Sequence, residues 1–138
     1  MANPIRLEGL TLSVANVERS IEFYRDKLGL QVELNNAPEF GMIRVGDKNG
    51  GTIGLLSMEF ADGAATNDWS PDQRAAIHVE LSTDDLDALY RELTARGVQF
   101  HTPPHDEPWE RCMDILDPDG YTVEIAQGRR GRKEPIGS

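Results

Sequence analysis

The sequence specifies an α+β protein in which one supersecondary module is used twice. Three observations point to it: an alternating apolar run leads into an amphipathic helix at two places, the two copies keep a constant offset, and each is followed by short strand-like runs separated by turn-forming clusters. Leu10-Thr11-Leu12-Ser13-Val14 precedes the helical stripe Val17, Ile21, Tyr24, Leu28, and Ile77-His78-Val79-Glu80-Leu81 precedes Leu86, Leu89, Tyr90, Leu93. Pairing Leu12 with Leu81, Val17 with Leu86 and Ile21 with Tyr90 gives 81−12 = 86−17 = 90−21 = 69, half of the 138 residues. A repeat of that length is a duplicated module, since solenoid periods are about 20–50 residues.

In module one (4–60), Leu10, Leu12 and Val14 share the strand face that a helix must cover, while Gly9, Thr11 and Ser13 share the other. Asn16 is a good N-cap and Gly29 a C-cap for the helix. Strands are expected at Leu30 to Leu34, Gly41 to Val45 and Thr52 to Ser57, with Asp47-Lys48-Asn49-Gly50 as the last turn. Residues 61–74, rich in Asp, Gly, Ala, Asn and Pro, read as a crossing linker, with Trp69 as a packing anchor or a piece of ligand wall. In module two (75–127), Ser82-Thr83-Asp84 leads into the helix and Gly97 closes it. Strands are expected near Val98 to Phe100, Arg111 to Leu116 and Tyr121 to Ala126, the last two joined by Asp117-Pro118-Asp119-Gly120. Residues 1–127 are expected to form a single domain, and 128–138, with Arg129, Arg130, Arg132 and Lys133 among glycines, a flexible basic tail.

Composition narrows the function. Hydrophobic residues make up 38% and charged residues 28%, the balance of a folded globular chain. There are 24 acidic against 14 basic residues, a net charge of −10, so nucleic acid is not an expected partner. No apolar run reaches the length of a membrane span and no apolar leader is visible, so a cytoplasmic location and no membrane partner are expected. A lone Cys112 fits a reducing compartment and reads as a small buried hydrophobe before a reactive thiol.

The two copies differ most at two places. Gly9 stands where the second has His78, and Gly54 stands where it has Glu124, at offsets of 69 and 70. His78, Glu80 and Glu124 share the parity opposite Val79, Leu81, Val123 and Ile125, so they converge on one wall of a cavity. Neutral imidazole with carboxylates is a sound donor set for Fe(II), Mn(II), Zn or Ni when further donors complete it. The other reading of the same residues is a cross-strand hydrogen bond in a polar pocket.

Leu10 to Val14 with Ser20-Ile21-Glu22-Phe23-Tyr24 and Leu28-Gly29-Leu30, followed by Pro108-Trp109, Asp117-Pro118-Asp119-Gly120 and Val123-Glu124-Ile125, resembles the vicinal oxygen chelate superfamily of glyoxalase I, bleomycin resistance proteins and extradiol dioxygenases. The resemblance runs from Leu7 to Ala126. It implies two tandem βαβββ modules forming a cupped, barrel-like mixed sheet with helices outside, a ligand site within, and a homodimer. It also implies that the second-module metal positions are His78 and Glu124, with Glu80 as candidate third donor, and that Gly9 and Gly54 empty the first-module positions. The site is then degenerate, its divalent metal bound weakly or not at all. The expected function is binding of a small organic molecule, as in the antibiotic-sequestering branch, with Trp109, Met42, Phe40, Arg44, His101 and His105 as candidate wall residues. The alternative is a metal-dependent lyase, isomerase or dioxygenase using His78 and Glu124, or a metal-free enzyme with Glu80 or Glu124 as catalytic base.

Overall fold

The computed structural model describes residues 3–60 and 68–127; most of the expected linker and the basic tail lie outside them. The chain divides into two compact units, Met1–Asp68 and Trp69–Ser138, each with one four-stranded mixed sheet. Among the described residues no helix is long and apolar enough to cross a membrane.

The first unit runs β1 (Gly9–Val14), α1 (Val17–Glu22, prolonged by one wider turn over Phe23–Lys27), β2 (Gln31–Asn36), β3 (Phe40–Arg44) and β4 (Thr52–Ser57). Asn16 caps α1 by accepting from the Arg19 N–H at 2.9 Å, and Gly29 leaves it with φ of 77°. The helix carries the chain across the sheet to its far edge, from which two antiparallel hairpins lead back until β4 lies parallel to β1, in the order β1-β4-β3-β2. The expected helical stripe is the buried one: Val17, Ile21, Tyr24 and Leu28 join Leu12, Val14, Ile43, Ile53 and Leu55 in the core. Gly41 on β3 lies under α1, where a Cβ would stand 2.9 Å from Ile21 Cδ1.

The second unit repeats this plan with β5 (His78–Thr83), α3 (Leu86–Ala95), β6 (Thr102–Asp106), β7 (Arg111–Leu116) and β8 (Thr122–Gln127), ordered β5-β8-β7-β6. Even single bonds recur: Thr52 N–H donates to Glu8 O at 3.0 Å, and Thr122 N–H to Ile77 O at 3.1 Å. Val79, Met113, Ile115, Val123 and Ile125 are buried on one face with Leu86 and Leu93 of α3. A short helix absent from the sequence reading, α2 (Pro71–Ala75), starts with a capping box in which Ser70 and Gln73 each receive the other's backbone N–H. Trp69, just before it, is 36% exposed.

One strand falls later than expected. Val98 to Phe100 serve the helix exit instead: Gly97 takes φ of 84°, Val98 N–H donates to Leu93 O at 3.1 Å, and Phe100 packs on Tyr90 with ring centres 4.7 Å apart. The strand forms at Thr102–Asp106 despite Pro103 and Pro104, because β6 is an edge strand and its pairing slips between Thr102 and His105, where the prolines have no N–H to give.

The β7–β8 turn is held by a buried carboxylate. Asp117 is 4% exposed, and its Oδ1 accepts from the N–H groups of Asp119 and Tyr121, both at 2.9 Å, while Gly120 takes φ of 96°. Removing the carboxylate strands two buried donors. Asp117→Ala should therefore lower unfolding free energy by about 2 kcal/mol, read as a lower urea midpoint at unchanged slope; an unchanged midpoint would show the turn is held by its backbone alone.

Candidate functional site

Strand pairing places acids side by side. Glu80 on β5 is the register partner of Glu124 on β8, and Glu124 is the partner of Asp114 on β7. Residues opposite each other in paired strands point to the same face, so three carboxylates form one row across three strands. Their neighbours on each strand, Val79, Met113, Ile115, Val123 and Ile125, are buried on the opposite face. That apolar commitment leaves the acids no other side to occupy. The corresponding row of the first unit is Thr11, Gly54 and Met42, with no ionisable group.

The acid row borders a cavity of about 500 Å³ lined by His78, Glu80, His105, Glu107, Trp109, Glu110, Cys112, Asp114 and Glu124. Five of these carry carboxyl groups and none is Lys or Arg, so the cavity favours positive charge. Trp109, 54% exposed, stands at its rim.

Glu124 is the most perturbed carboxyl. Its side chain is 14% exposed and its Oε2 lies 3.3 Å from His78 Nδ1. Burial pushes its pKa up from 4.5 to about 7, and the adjacent Glu110 carboxyl, which can share the proton, pushes the same way. The hydrogen bond from His78 opposes this, while the charges of Glu110 and Asp114 add to it. Glu110 itself is fully buried. Cys112 beside them is pushed up to about 12, by burial first and then by the charges of Glu124 and Glu110, so it is a thiol at neutral pH and a poor nucleophile.

The sequence-selected residues separate into three groups. His78, Glu80, Glu124, Trp109 and His105 line the cavity. His101 precedes β6, exposed, with its N–H donating to Asp114 O at 2.9 Å. Phe40, Met42 and Arg44 are on β3 of the first unit, and the Arg44 guanidinium is held by Glu33 at 3.2 Å and by Gly50 O at 2.7 Å. Glu107, Glu110 and Asp114 were not selected from the sequence. Among the described residues, the three-donor group whose ligand atoms lie within 4.8 Å of one another is Glu110, Cys112 and Glu124, without Glu80.

Two donors each about 2.1 Å from one ion stand about 3.0–3.4 Å apart, and the 3.3 Å between His78 Nδ1 and Glu124 Oε2 meets that spacing. Gly9 and Gly54 offer no side-chain donor, and β1–β4 pairing leaves little room for one. A Cβ at Gly9 would run into the Thr52 backbone carbonyl oxygen, and one at Gly54 would come within 2.7 Å of Thr11 Oγ1. Within the second unit, the spacing of His78 and Glu124 offers an ion two protein donors.

With fold and site described, the comparison with known proteins agrees. The family model of the Glyoxalase/Bleomycin resistance protein/Dioxygenase superfamily matches residues 6–125, and the chain belongs to that superfamily. It is 27% identical over 124 residues to the uncharacterized protein YraH of Bacillus subtilis, covering 88% of this chain and 97% of that one. It is also 27% identical over 129 residues to the lactoylglutathione lyase of Haemophilus influenzae, covering 86% and 89%. Among solved structures, a glyoxalase/bleomycin resistance protein/dioxygenase from Nocardioides superposes with a TM-score of 0.74 at 26% identity, over 100% of this chain and 91% of that one.

Because Glu124 keeps a proton in the folded chain that the unfolded chain releases above its ordinary 4.5, it makes stability fall as pH rises from about 4.5 to about 7. Glu124→Gln removes that component. Urea midpoints of parent and variant should diverge across this window, with the variant gaining relative to the parent as pH rises; parallel pH profiles would show that Glu124 titrates normally.

Proposed function

We propose that the chain binds a small, positively charged organic molecule in the acidic cavity of its second module, with the superfamily's metal site reduced to His78 and Glu124. The observation that carries this is the charge of the cavity: Glu80, Glu124 and Asp114 in one cross-strand row, with Glu107 and Glu110 beside them and no basic side chain other than histidine among the lining residues. Burial first, then the adjacent Glu110 carboxyl and the charge of Asp114, push Glu124 up to about 7, and a cation placed there favours its charged form. Trp109 at the rim offers an aromatic face to the same charge. Enclosure of a ligand, rather than its conversion, asks no more of this wall than its charge and shape. The open edges of each sheet, β1 and β2 in one and β5 and β6 in the other, support a homodimer as the assembled form.

A second reading is favoured by the spacing of His78 and Glu124: a metal-dependent lyase, isomerase or dioxygenase in which these two residues hold a divalent ion. Such an ion would polarise the oxygens of a bound substrate. In that case Glu80, on the same wall, is the carboxylate placed to take a proton.

Calorimetric titration separates the two. Phenyltrimethylammonium should bind saturably to protein purified without chelator, and Glu80→Gln and Trp109→Ala should each weaken it by about 3- to 10-fold, the effect of about 1 kcal/mol at a partly exposed site. Elemental analysis of the same protein after dialysis should find well under one metal per chain. Stoichiometric metal together with no binding of the aromatic cation would reject the binding function in favour of the metalloenzyme.

A further inference from the structure

The row Glu80, Glu124, Asp114 has a middle and two ends that the fold treats differently. Glu124, in the middle, is engaged: its Oε2 meets His78 Nδ1 at 3.3 Å, and its carboxyl reaches within 4.8 Å of that of Glu110. The second cavity histidine is held as well, with His105 Nδ1 on the Pro103 carbonyl oxygen at 2.9 Å and Nε2 on Glu107 Oε1 at 3.1 Å. The ends stand apart. Neighbouring strands lie about 4.8 Å from each other, so Glu80 on β5 and Asp114 on β7, with β8 between them, are set about 10 Å apart along the row. Glu80 is exposed and lines the cavity; Asp114 also lines it, half-buried, with an Oδ1 that no donor among the described residues reaches. A buried carboxylate oxygen without a donor is costly, and the broad terminal torsion of Asp lets the group turn either oxygen towards the cavity.

We propose that the ligand of this cavity is an organic dication, a molecule with two cationic nitrogens that lies along the acid row with one nitrogen at Glu80 and the other at Asp114. This deepens the cation-binding function proposed above and rests on it. Separation decides the number of charges. One positive centre faces one end of the row only, because the other end is about 10 Å away, more than a Debye length at physiological salt. Asp114 is the inner anchor, with an oxygen in want of a donor, and Glu80 the outer one, open to the entering molecule. An ammonium carries several N–H donors, and its hydrogen bonds to a carboxylate are charge-assisted, so the nitrogen at Asp114 is a primary or secondary ammonium and not a quaternary one. No Lys or Arg side chain lines the cavity to compete for these positions. A stem of several carbons between the nitrogens then crosses β8 at Glu124, the residue that pairs with both ends.

Calorimetric titration of the full-length protein with hexamethylenediamine, n-hexylamine and trimethylenediamine tests this, since only the first has two nitrogens far enough apart to reach both ends of the row. Hexamethylenediamine should bind about tenfold more tightly than either of the others, the worth of one further charge-assisted hydrogen bond. Asp114→Asn and Glu80→Gln should each bring the affinity ratio of diamine to hexylamine down to about twofold or less, because one anchor is gone. Glu18→Gln removes the same charge from the exposed surface of α1 in the first unit and should leave the ratio as it is. Circular dichroism checks that the variants are folded, and the comparison of the three amines on the parent needs no variant. Equal affinity for hexamethylenediamine and hexylamine, both bound, would overturn the dication and leave the monocation function standing. Equal affinity for the two diamines, or a ratio lowered as far by Glu18→Gln as by Asp114→Asn, would trace the preference to net charge and overturn it as well. No binding of any of the three amines or of phenyltrimethylammonium would reject the cation-binding function itself.

Discussion

The second module depends on a conflict that its strands cannot avoid. Burying Val79, Met113, Ile115, Val123 and Ile125 on one face of the sheet fixes the register, and the register sets Glu80, Glu124 and Asp114 in one row on the other. Carboxylates opposite one another repel, and the middle one is also largely shielded from water. Burial first, then the adjacent Glu110 carboxyl and the charge of Asp114, push Glu124 up to about 7, so it is about half protonated near neutrality, with His78 as its hydrogen-bond partner. Such an arrangement costs stability, and it is kept only where something else gains from it. A bound positive charge, as in the proposed function, would offset that cost.

The first module has the same backbone plan without the conflict. Its equivalent row, Thr11, Gly54 and Met42, is uncharged, and Gly9 packs so closely on Thr52 that a side chain there would displace the strand. The two copies of one scaffold differ in this row, which is acidic in the second and uncharged in the first. This asymmetry also explains why superfamily membership settles the fold and not the activity.

Much of this was legible in the sequence. The stripe Val17, Ile21, Tyr24, Leu28 is buried as its spacing required, Asn16 caps the helix, and the offset of 69 correctly aligned His78 with Gly9. What was missed has physical reasons. The strand expected near Val98 to Phe100 forms at Thr102–Asp106, where Pro103 and Pro104 are accommodated because an edge strand need not offer every N–H. Glu110, just before β7, and Cys112 and Asp114 on it alternate with Arg111 and Met113, a period-two signal that was present. Comparing the two copies drew attention only to positions where one has a donor and the other glycine. Glu110 and Glu107 needed the turn itself, closed by Glu107 N–H on Glu110 O at 2.7 Å, before they could be placed in the cavity.

The account rests on a carboxyl group whose pKa is raised to about 7, so that it is still partly protonated at neutral pH. Carbon-13 NMR of protein labelled at the glutamate side-chain carboxyl carbon reads that group directly as pH is varied. One glutamate resonance should titrate with a midpoint near 7 and be missing from the spectrum of Glu124→Gln. If every glutamate titrates in the ordinary range of about 4–5, the acid row is solvated and the cavity carries no stored demand for a cation.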